Sequence, residues 1–216
     1  MDPITVLPRN LFYVTGPISA AFHARQITSL RDAAAYVAQL PYGYNNDPRD
    51  FLTVLKDGFG TCVSKHGIIA GLAREAGLPV YKTIGLYPME PGLVDGIERV
   101  LTARHLPFVP AIHCFLSYGK FRVDLTQGDC NGKNYQIEEF FFTRIVTPYL
   151  SEAEEQRLYD LWCESLLSDG GPLNTPGVDL GLVRRTLREC SAILKTNQAC
   201  RADRRDRRGT STTLLR

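Results

Sequence analysis

The sequence predicts a protein that combines helices with an antiparallel β-hairpin. Residues 62–76, CVSKHGIIAGLAREA, carry apolar side chains at helical spacing, and Gly77 can close that helix in a left-handed conformation. Two β-type runs, AIHCFLSY and FRVDLT, are separated only by Gly119 and Lys120. A glycine at the first central position suits a tight hairpin turn, so we expect residues 111–126 to form a hairpin.

Other elements are expected on both sides of these two segments. Ser29 is a capping residue for a helix that stops at Pro41. Ser151 and Glu154 form a capping box for an amphipathic helix. Further patterns predict a short helix ending at Gly58, a strand over 80–87, a helix over 94–104 and a last helix over 178–195.

Composition predicts one globular domain over residues 1–196 and a basic, disordered tail over 197–216. The chain has 216 residues, 44% hydrophobic and 22% charged, with a formal net charge of +2. So small a net charge gives no general attraction to nucleic acid or anionic lipid. The tail contains RADRRDRR, in which Asp203 and Asp206 dilute the positive charge. A solvated end is therefore expected rather than a phosphate-binding arm.

The sequence also predicts a cytoplasmic protein without metal or cofactor. No apolar run approaches the roughly 18 residues of a membrane span. The start, MDPITVLPRN, lacks the basic-then-apolar pattern of a secretory signal. Six cysteines are scattered through a chain large enough to build its own core, which favours reduced thiols. No CxxC pair is present, so a zinc site of the usual kind is not expected.

Cys62 stands where a thiol would be activated. A cysteine in the first turn of a helix lies in the partial positive charge of the amide groups there, which favours the thiolate. In the expected hairpin Tyr118 faces Phe121, so that His113 and Asp124 project from one face as diagonal neighbours. The imidazole and the carboxylate are then within hydrogen-bonding reach, and a one-residue shift of register would separate them.

These three residues match the requirements of covalent acyl transfer. The thiolate of Cys62 would attack a carbonyl, His113 would transfer the proton, and Asp124 would hold the other nitrogen of the imidazole. Each residue alone is more often structural: a cysteine is usually a small core residue and an aspartate commonly ends a strand. Their joint placement on a helix start and two neighbouring strands predicts a Cys-His-Asp triad.

The stretch GTCVSKHGIIAGLAREAGLPVYKTIGLY resembles the helix and strand of the transglutaminase-like superfamily, and AIHCFLSYGKFRVDLT resembles its second half. The resemblance covers about residues 40–126. It implies an α+β, papain-like core in which the helix that begins with the nucleophile packs on an antiparallel sheet, followed here by extra C-terminal helices. By this resemblance Cys62 is the nucleophile, His113 the base and Asp124 the orienting acid.

The chain departs from the family in two places. Many members have an aromatic residue directly after the histidine, where this chain has Cys114. Nothing resembles the calcium loops or additional β-domains of large animal transglutaminases. We therefore expect a small bacterial-type cysteine peptidase or amidase, or an acyl transferase, that acts on a peptide or small amide. The alternative is a transglutaminase-like binding module that performs no chemistry.

The oxyanion of the tetrahedral intermediate needs hydrogen-bond donors. The backbone amide of Cys62 is one candidate, and the loop PYGYNND offers Tyr42, Tyr44 and Asn45 as candidates for the second. Tyrosines in such a loop more often only pack on their surroundings.

His66 lies one helical turn beyond Cys62 and competes with His113. It admits a rival design in which Cys62, His66 and His113 hold a metal, but no further ligand is evident. His66 is otherwise expected to line the pocket and Lys65 to be solvated. Cys114, Cys130 and Asp129 are expected to be core or loop residues rather than a metal site or a disulfide.

Overall fold

The computed structural model describes residues 3–47, 50–126 and 131–210, with side chains through residue 199. The strands are β1 (Tyr81–Met89), β2 (Val109–Tyr118), β3 (Phe121–Val123) and β4 (Phe142–Val146). The described helices are α1 (Pro17–His23), α2 (Leu30–Gln39), α3 (Thr53–Asp57), α4 (Cys62–Glu75), α5 (Glu98–Ala103), α6 (Glu152–Leu167) and α7 (Leu180–Thr210), with a 3-10 helix at Pro3–Val6. The protein is thus α+β, as predicted, and its antiparallel sheet has the order β3-β2-β1-β4.

The chain divides into two compact units, where the sequence predicted a single domain over 1–196. The first unit contains residues 1–85, 113–127 and 143–151. The second contains residues 86–112, 128–142 and 152–216. All of the candidate site residues belong to the first unit.

The core of the first unit is built around α4, which lies against α1, α2 and α3. Its apolar side chains share one cluster with Leu116 and Val123 of the hairpin. Gly67 and Gly71 allow this close packing: an added Cβ would lie 2.6 Å from the Phe51 ring at the first position and 2.5 Å from Ile18 at the second. The small residues of α4 therefore bring neighbouring side chains against the helix backbone.

The far end of α4 is fixed by Glu75, whose carboxylate accepts hydrogen bonds from the first amides of α1. The Ile18 and Ser19 N–H groups donate to it at 3.1 Å and 2.7 Å. A negative charge at this position is favourable because the N-terminus of a helix carries partial positive charge. An added Cβ on Gly16 would come within 2.5 Å of this carboxylate, so a small residue is needed there. The C-terminal end of α4 is thus held against α1.

The hairpin has the predicted register. Tyr118 pairs with Phe121 and Leu116 with Val123, and the chain turns at Gly119, whose φ is +55°. Asp124 follows directly after β3. This pairing places the two strands so that His113 and Asp124 share a face.

In the second unit, a side chain near the start of α7 is hydrogen-bonded to α6. Arg184 Nε donates to Asp160 Oδ1 at 3.0 Å. Farther along α7, Asn197 donates to the Asp95 carbonyl at 3.0 Å and Gln198 to the Asn131 carbonyl at 3.0 Å. The tail predicted from residue 197 therefore starts inside a helix that runs to Thr210, and residues 211–216 lie outside the described residues.

Most of the other predicted elements are present within a few residues of their expected bounds. Ser29 caps α2 by accepting from the Asp32 N–H at 3.2 Å, and α3 ends at Gly58 with a φ of +73°. The sequence did not predict α1 or β4. Among the described residues, no helix has the length and apolar character needed to cross a bilayer.

Candidate active site

Cys62 is the first residue of α4 and is partly exposed. Thr61 caps the helix: its hydroxyl accepts from the Ser64 N–H at 3.3 Å, and the Ser64 hydroxyl accepts from the Thr61 N–H at 2.9 Å. This reciprocal pair fixes the direction in which the first turn starts. The thiol is therefore held at a helix N-terminus, as the sequence predicted.

The loop before Cys62 is tied to the segment around Tyr42. The Gly43 N–H donates to the Gly60 carbonyl, and the Gly60 N–H donates to the Pro41 carbonyl, each at 3.2 Å. These two bonds make a short parallel bridge between Tyr42 and Gly60. As a result, the tyrosine loop lies beside the first turn of α4.

Asn45 braces the same turn. Its Nδ2 donates to the Phe59 carbonyl at 2.8 Å and to Asp57 Oδ2 at 3.1 Å, and its Oδ1 accepts from the Ser64 hydroxyl at 2.7 Å. Both amide hydrogens are thus engaged within the protein. We therefore assign Asn45 a role in shaping the turn, whereas the sequence offered it as an oxyanion donor.

His113 and Asp124 form the hydrogen bond that the hairpin register predicts. His113 Nε2 lies 2.7 Å from Asp124 Oδ2. The other carboxylate oxygen, Oδ1, accepts from the Thr126 N–H at 2.8 Å and from the Thr126 hydroxyl at 2.7 Å. Both oxygens are therefore engaged, which fixes the orientation of the carboxylate towards the imidazole.

His113 is also hydrogen-bonded to the side chain of Cys62. Since Nε2 is directed at Asp124, Nδ1 is the nitrogen available to the thiol. Burial of the ring opposes its protonation, but the charge and hydrogen bond of Asp124, together with Cys62, outweigh burial and raise the pKa of His113 to about 9. The imidazole is therefore protonated at neutral pH.

Asp124 stays ionised although it is largely buried. Burial acts to raise its pKa, but the charge of His113 and its hydrogen bond hold the pKa well below its usual range. The three predicted catalytic residues thus form one connected chain, from Cys62 through His113 to Asp124.

The sequence predicted that His66 lines the pocket and, in a rival design, acts as a base or metal ligand, whereas the structure gives it backbone contacts. It is fully buried, and the Leu125 N–H donates to its Nε2 at 2.8 Å. The proton must then lie on Nδ1, which donates to the Cys62 carbonyl at 2.7 Å. Both nitrogens are engaged with the backbone, so His66 links the start of α4 to the residue after Asp124.

The environment of His66 keeps it neutral. Burial, only partly offset by the charge of Asp124, lowers its pKa to about 4. Its Nε2 is 3.5 Å from Asp124 Oδ1, but a neutral ring that accepts from an amide at Nε2 forms no ion pair there. Among the described residues, no group of three His, Cys, Asp or Glu side chains is arranged to hold a metal ion.

Tyr42 and Tyr44 both lie near Cys62. Tyr42 is hydrogen-bonded to the backbone and to the side chain of Cys62, and burial followed by the charge of Cys62 raises its pKa well above 10. The phenol therefore stays protonated and can donate a hydrogen bond. Tyr44 is half exposed and packs edge-to-face on Tyr42 with 6.1 Å between ring centroids.

Lys65 is buried, with 2% of its surface exposed, where the sequence predicted a solvated side chain. The reason is its position on α4, whose residues 64–73 are all buried. Its ammonium donates to the Leu40 carbonyl just after α2. Burial, partly offset by the charge of Asp124, lowers its pKa to about 8.

The other described cysteines are more deeply buried than Cys62. Cys114, Cys163 and Cys190 are buried, and burial raises the pKa of both Cys163 and Cys190 to about 11. Cys130 and Asp129 lie outside the described residues. Among the four cysteines with described side chains, Cys62 is the partly exposed one.

We predict that replacing His66 by Phe destabilises the protein more than replacing His23 does. A slightly larger aromatic ring is kept, but the Cys62 carbonyl and the Leu125 N–H each lose a partner, at a cost of about 2 to 4 kcal/mol in the free energy of unfolding. His23→Phe is the control, because His23 has one backbone contact, to the Phe12 carbonyl at 2.8 Å. Urea denaturation measures both free energies.

The pH dependence gives a second readout for His66. Its pKa of about 4 in the folded protein lies below the value of about 6.5 in an unfolded chain, so the unfolded state binds the proton more readily. The contribution of His66 to the free energy of unfolding is therefore complete above pH ~6.5 and is lost as the pH falls towards 4. Equal destabilisation by the two Phe variants, with unchanged pH profiles, would contradict this account.

Neither a scan of protein-family models nor searches of curated proteins and of solved structures returned a match for this chain.

Proposed function

We propose that the protein is a thiol-dependent hydrolase or acyl transferase that acts on peptide or amide bonds through Cys62, His113 and Asp124. The observation that supports this most directly is the connected chain of hydrogen bonds from a thiol at a helix N-terminus to a buried imidazole and then to a carboxylate. A purely structural cysteine would need neither partial exposure nor a protonated partner.

The first chemical step is acylation of Cys62. The neutral imidazole of His113 accepts the thiol proton, and its raised pKa favours the resulting thiolate and imidazolium pair. The sulfur attacks the carbonyl carbon of the amide, and the C=O electron pair moves to the oxygen. As the tetrahedral intermediate collapses, the C–N bond breaks, His113 gives its proton to the departing amine and a thioester remains on Cys62.

The second step removes the acyl group. Water, or an acceptor amine, gives a proton to the neutral His113 and attacks the thioester carbonyl. The C–S bond breaks, and the sulfur leaves as the thiolate beside the regenerated imidazolium. Hydrolysis and acyl transfer differ only in the acceptor, so both belong to the proposal.

Tyr42 is the side chain that we assign to the oxyanion. Donors must be in place where the charge develops on the former carbonyl oxygen. The Tyr42 phenol contacts both the backbone and the thiol of Cys62, and its raised pKa keeps its proton available for donation. The Cys62 N–H is the second donor in this proposal. Both donors contact each other in this structure, and the substrate oxygen takes over these contacts when it binds; Tyr44 lines the approach.

The proposal extends to the fold family and the compartment. A helix that starts with the nucleophile and an antiparallel hairpin that supplies the base and the acid support the transglutaminase-like assignment that the sequence motifs suggest. A thiolate mechanism also needs Cys62 in reduced form, which the cytoplasm maintains. The substrate class is a peptide or a small amide, and the reaction as written needs no cofactor.

Alkylation of Cys62 across pH is the first test of the thiolate and imidazolium pair. We expect iodoacetamide to label Cys62 with half-maximal rate well below pH ~8.5, the value for a free thiol. In a His113→Gln variant the curve should move up towards that value, because the imidazolium no longer stabilises the thiolate. Mass spectrometry of the Cys62 peptide measures the rate at each pH.

Cys190 serves as the internal control, since burial raises its pKa to about 11 and it should remain unlabelled at neutral pH. A wild-type curve centred at the free-thiol value and unchanged in His113→Gln would contradict the pair. That result would favour the alternative, a transglutaminase-like module that binds its ligand without chemistry. The Cys114 that follows His113 in place of an aromatic residue is the feature that supports this alternative.

Acylation by an activated ester tests the covalent step without knowledge of the natural substrate. With p-nitrophenyl acetate we expect a burst of nitrophenol and one acetyl group on Cys62, because the thiolate attacks the ester carbonyl. Cys62→Ala should lose both, and His113→Gln should slow the burst at pH 7 by about tenfold or more as the thiolate fraction falls. Stopped-flow absorbance and peptide mass spectrometry give the two readouts.

Cys190→Ala is the matched control and should keep the full burst. When glycinamide is added, the acetyl group on Cys62 can pass to water or to the amine. Release of acetate alone indicates a hydrolase, and acetylated glycinamide indicates an acyl transferase. A burst of wild-type size in Cys62→Ala, or acetylation confined to other cysteines, would overturn the mechanism.

A further inference from the structure

A cavity lies at the opposite end of α4 from Cys62. It has a volume of about 580 Å³ and is lined by Ala70 and Arg74 of α4, by residues 77–82 and by residues 145–148. All of these residues belong to the first unit. The 12 residues between Cys62 and Arg74 span about 18 Å of helix, so this cavity is separate from the candidate active site.

Two cations line this otherwise apolar cavity. The Lys82 side chain is buried, with 1% of its surface exposed, and its Nζ donates to the Pro148 carbonyl at 3.3 Å. Arg74 is exposed. Within the described part of the chain, neither side chain forms an ion pair with a carboxylate. No acidic residue contributes to the lining.

An aromatic stack holds both cations in place. The rings of Phe51 and Tyr149 are stacked with 5.0 Å between centroids. Lys82 Nζ lies 5.5 Å from the centroid of Phe51, and the Arg74 guanidinium lies 5.1 Å from that of Tyr149. Cation–π contacts of this kind position a charge without neutralising it. The cavity therefore keeps a positive potential beside apolar walls.

We propose that this cavity binds a small amphipathic carboxylate, that is, a molecule with one carboxylate and an apolar body such as a medium-chain fatty acid. The carboxylate pairs with the exposed Arg74, the buried Lys82 adds to the positive potential, and the apolar body packs against Ala70, Leu78, Val80 and Ile145. The volume falls in the usual range for small-molecule sites, roughly 300 to 1,000 Å³. An amine of the same length would be repelled, and an alcohol would lack the charge.

Binding of decanoate to the full chain tests the proposal. Isothermal titration calorimetry below the micellar concentration should show saturable one-to-one binding, with much weaker binding of decanol and decylamine. Arg74→Gln should weaken decanoate binding about tenfold or more, because a charge-assisted hydrogen bond is lost. Lys82→Gln should weaken it less, because only part of the positive potential is removed. Shorter carboxylates should bind less tightly as less apolar surface is buried.

Two control variants separate this site from other effects. Arg144→Gln removes an exposed cation from β4 outside the cavity lining and should leave decanoate binding unchanged. Cys62→Ala should also bind decanoate normally, so failure of the proposed catalysis does not bear on this site. Lys82 is buried, so the binding result for Lys82→Gln counts only if the circular dichroism spectrum of this variant matches that of the wild type. Arg74 is exposed, and Arg74→Gln tests the site whatever the result for Lys82→Gln.

Three results would overturn the proposal. The first is the absence of saturable decanoate binding. The second is binding of decanol or decylamine as tight as that of decanoate. The third is equal weakening by Arg74→Gln and Arg144→Gln, which would show a general charge effect rather than a site.

Discussion

The carboxylate of Asp124 is the group on which the candidate site depends. Burial alone would keep His113 neutral, and the charge of Asp124 is the largest influence that reverses this. A buried imidazolium without such a partner would be costly, because an unpaired charge loses its hydration. The carboxylate in turn keeps its orientation through Thr126. The protonation state of His113, the partner of Cys62, is therefore set by the carboxylate on the other side of the imidazole.

Backbone carbonyl and amide groups complete the site. Lys65 and His66 follow Cys62 on α4 and are both buried, yet neither takes part in the proposed chemistry. Lys65 donates to the Leu40 carbonyl, and His66 connects the Cys62 carbonyl to the Leu125 N–H. These bonds satisfy polar atoms that would otherwise destabilise the core. They also fix the helix start relative to the strand end, which sets the distance from thiol to imidazole.

The sequence predicted those parts of the site that local patterns determine. Gly119 at a two-residue turn fixes the hairpin register, and this register alone places His113 beside Asp124. The burial of Lys65 and the bonds of His66 were not predictable, because they depend on groups distant in sequence: Leu125 is 59 residues from His66. β4 was missed for the same reason, since its place in the sheet depends on distant pairing rather than on a local signal.

The protonation state of the two buried histidines tests the central claim most directly. Nitrogen-15 chemical shifts of the imidazole rings, followed across pH, report the pKa and the tautomer of each ring. The account predicts a pKa of about 9 for His113, which falls in Cys62→Ala, and a pKa of about 4 for His66 with the proton on Nδ1. A His113 pKa near the ordinary value of about 6.5, unaffected by Cys62→Ala, would contradict it.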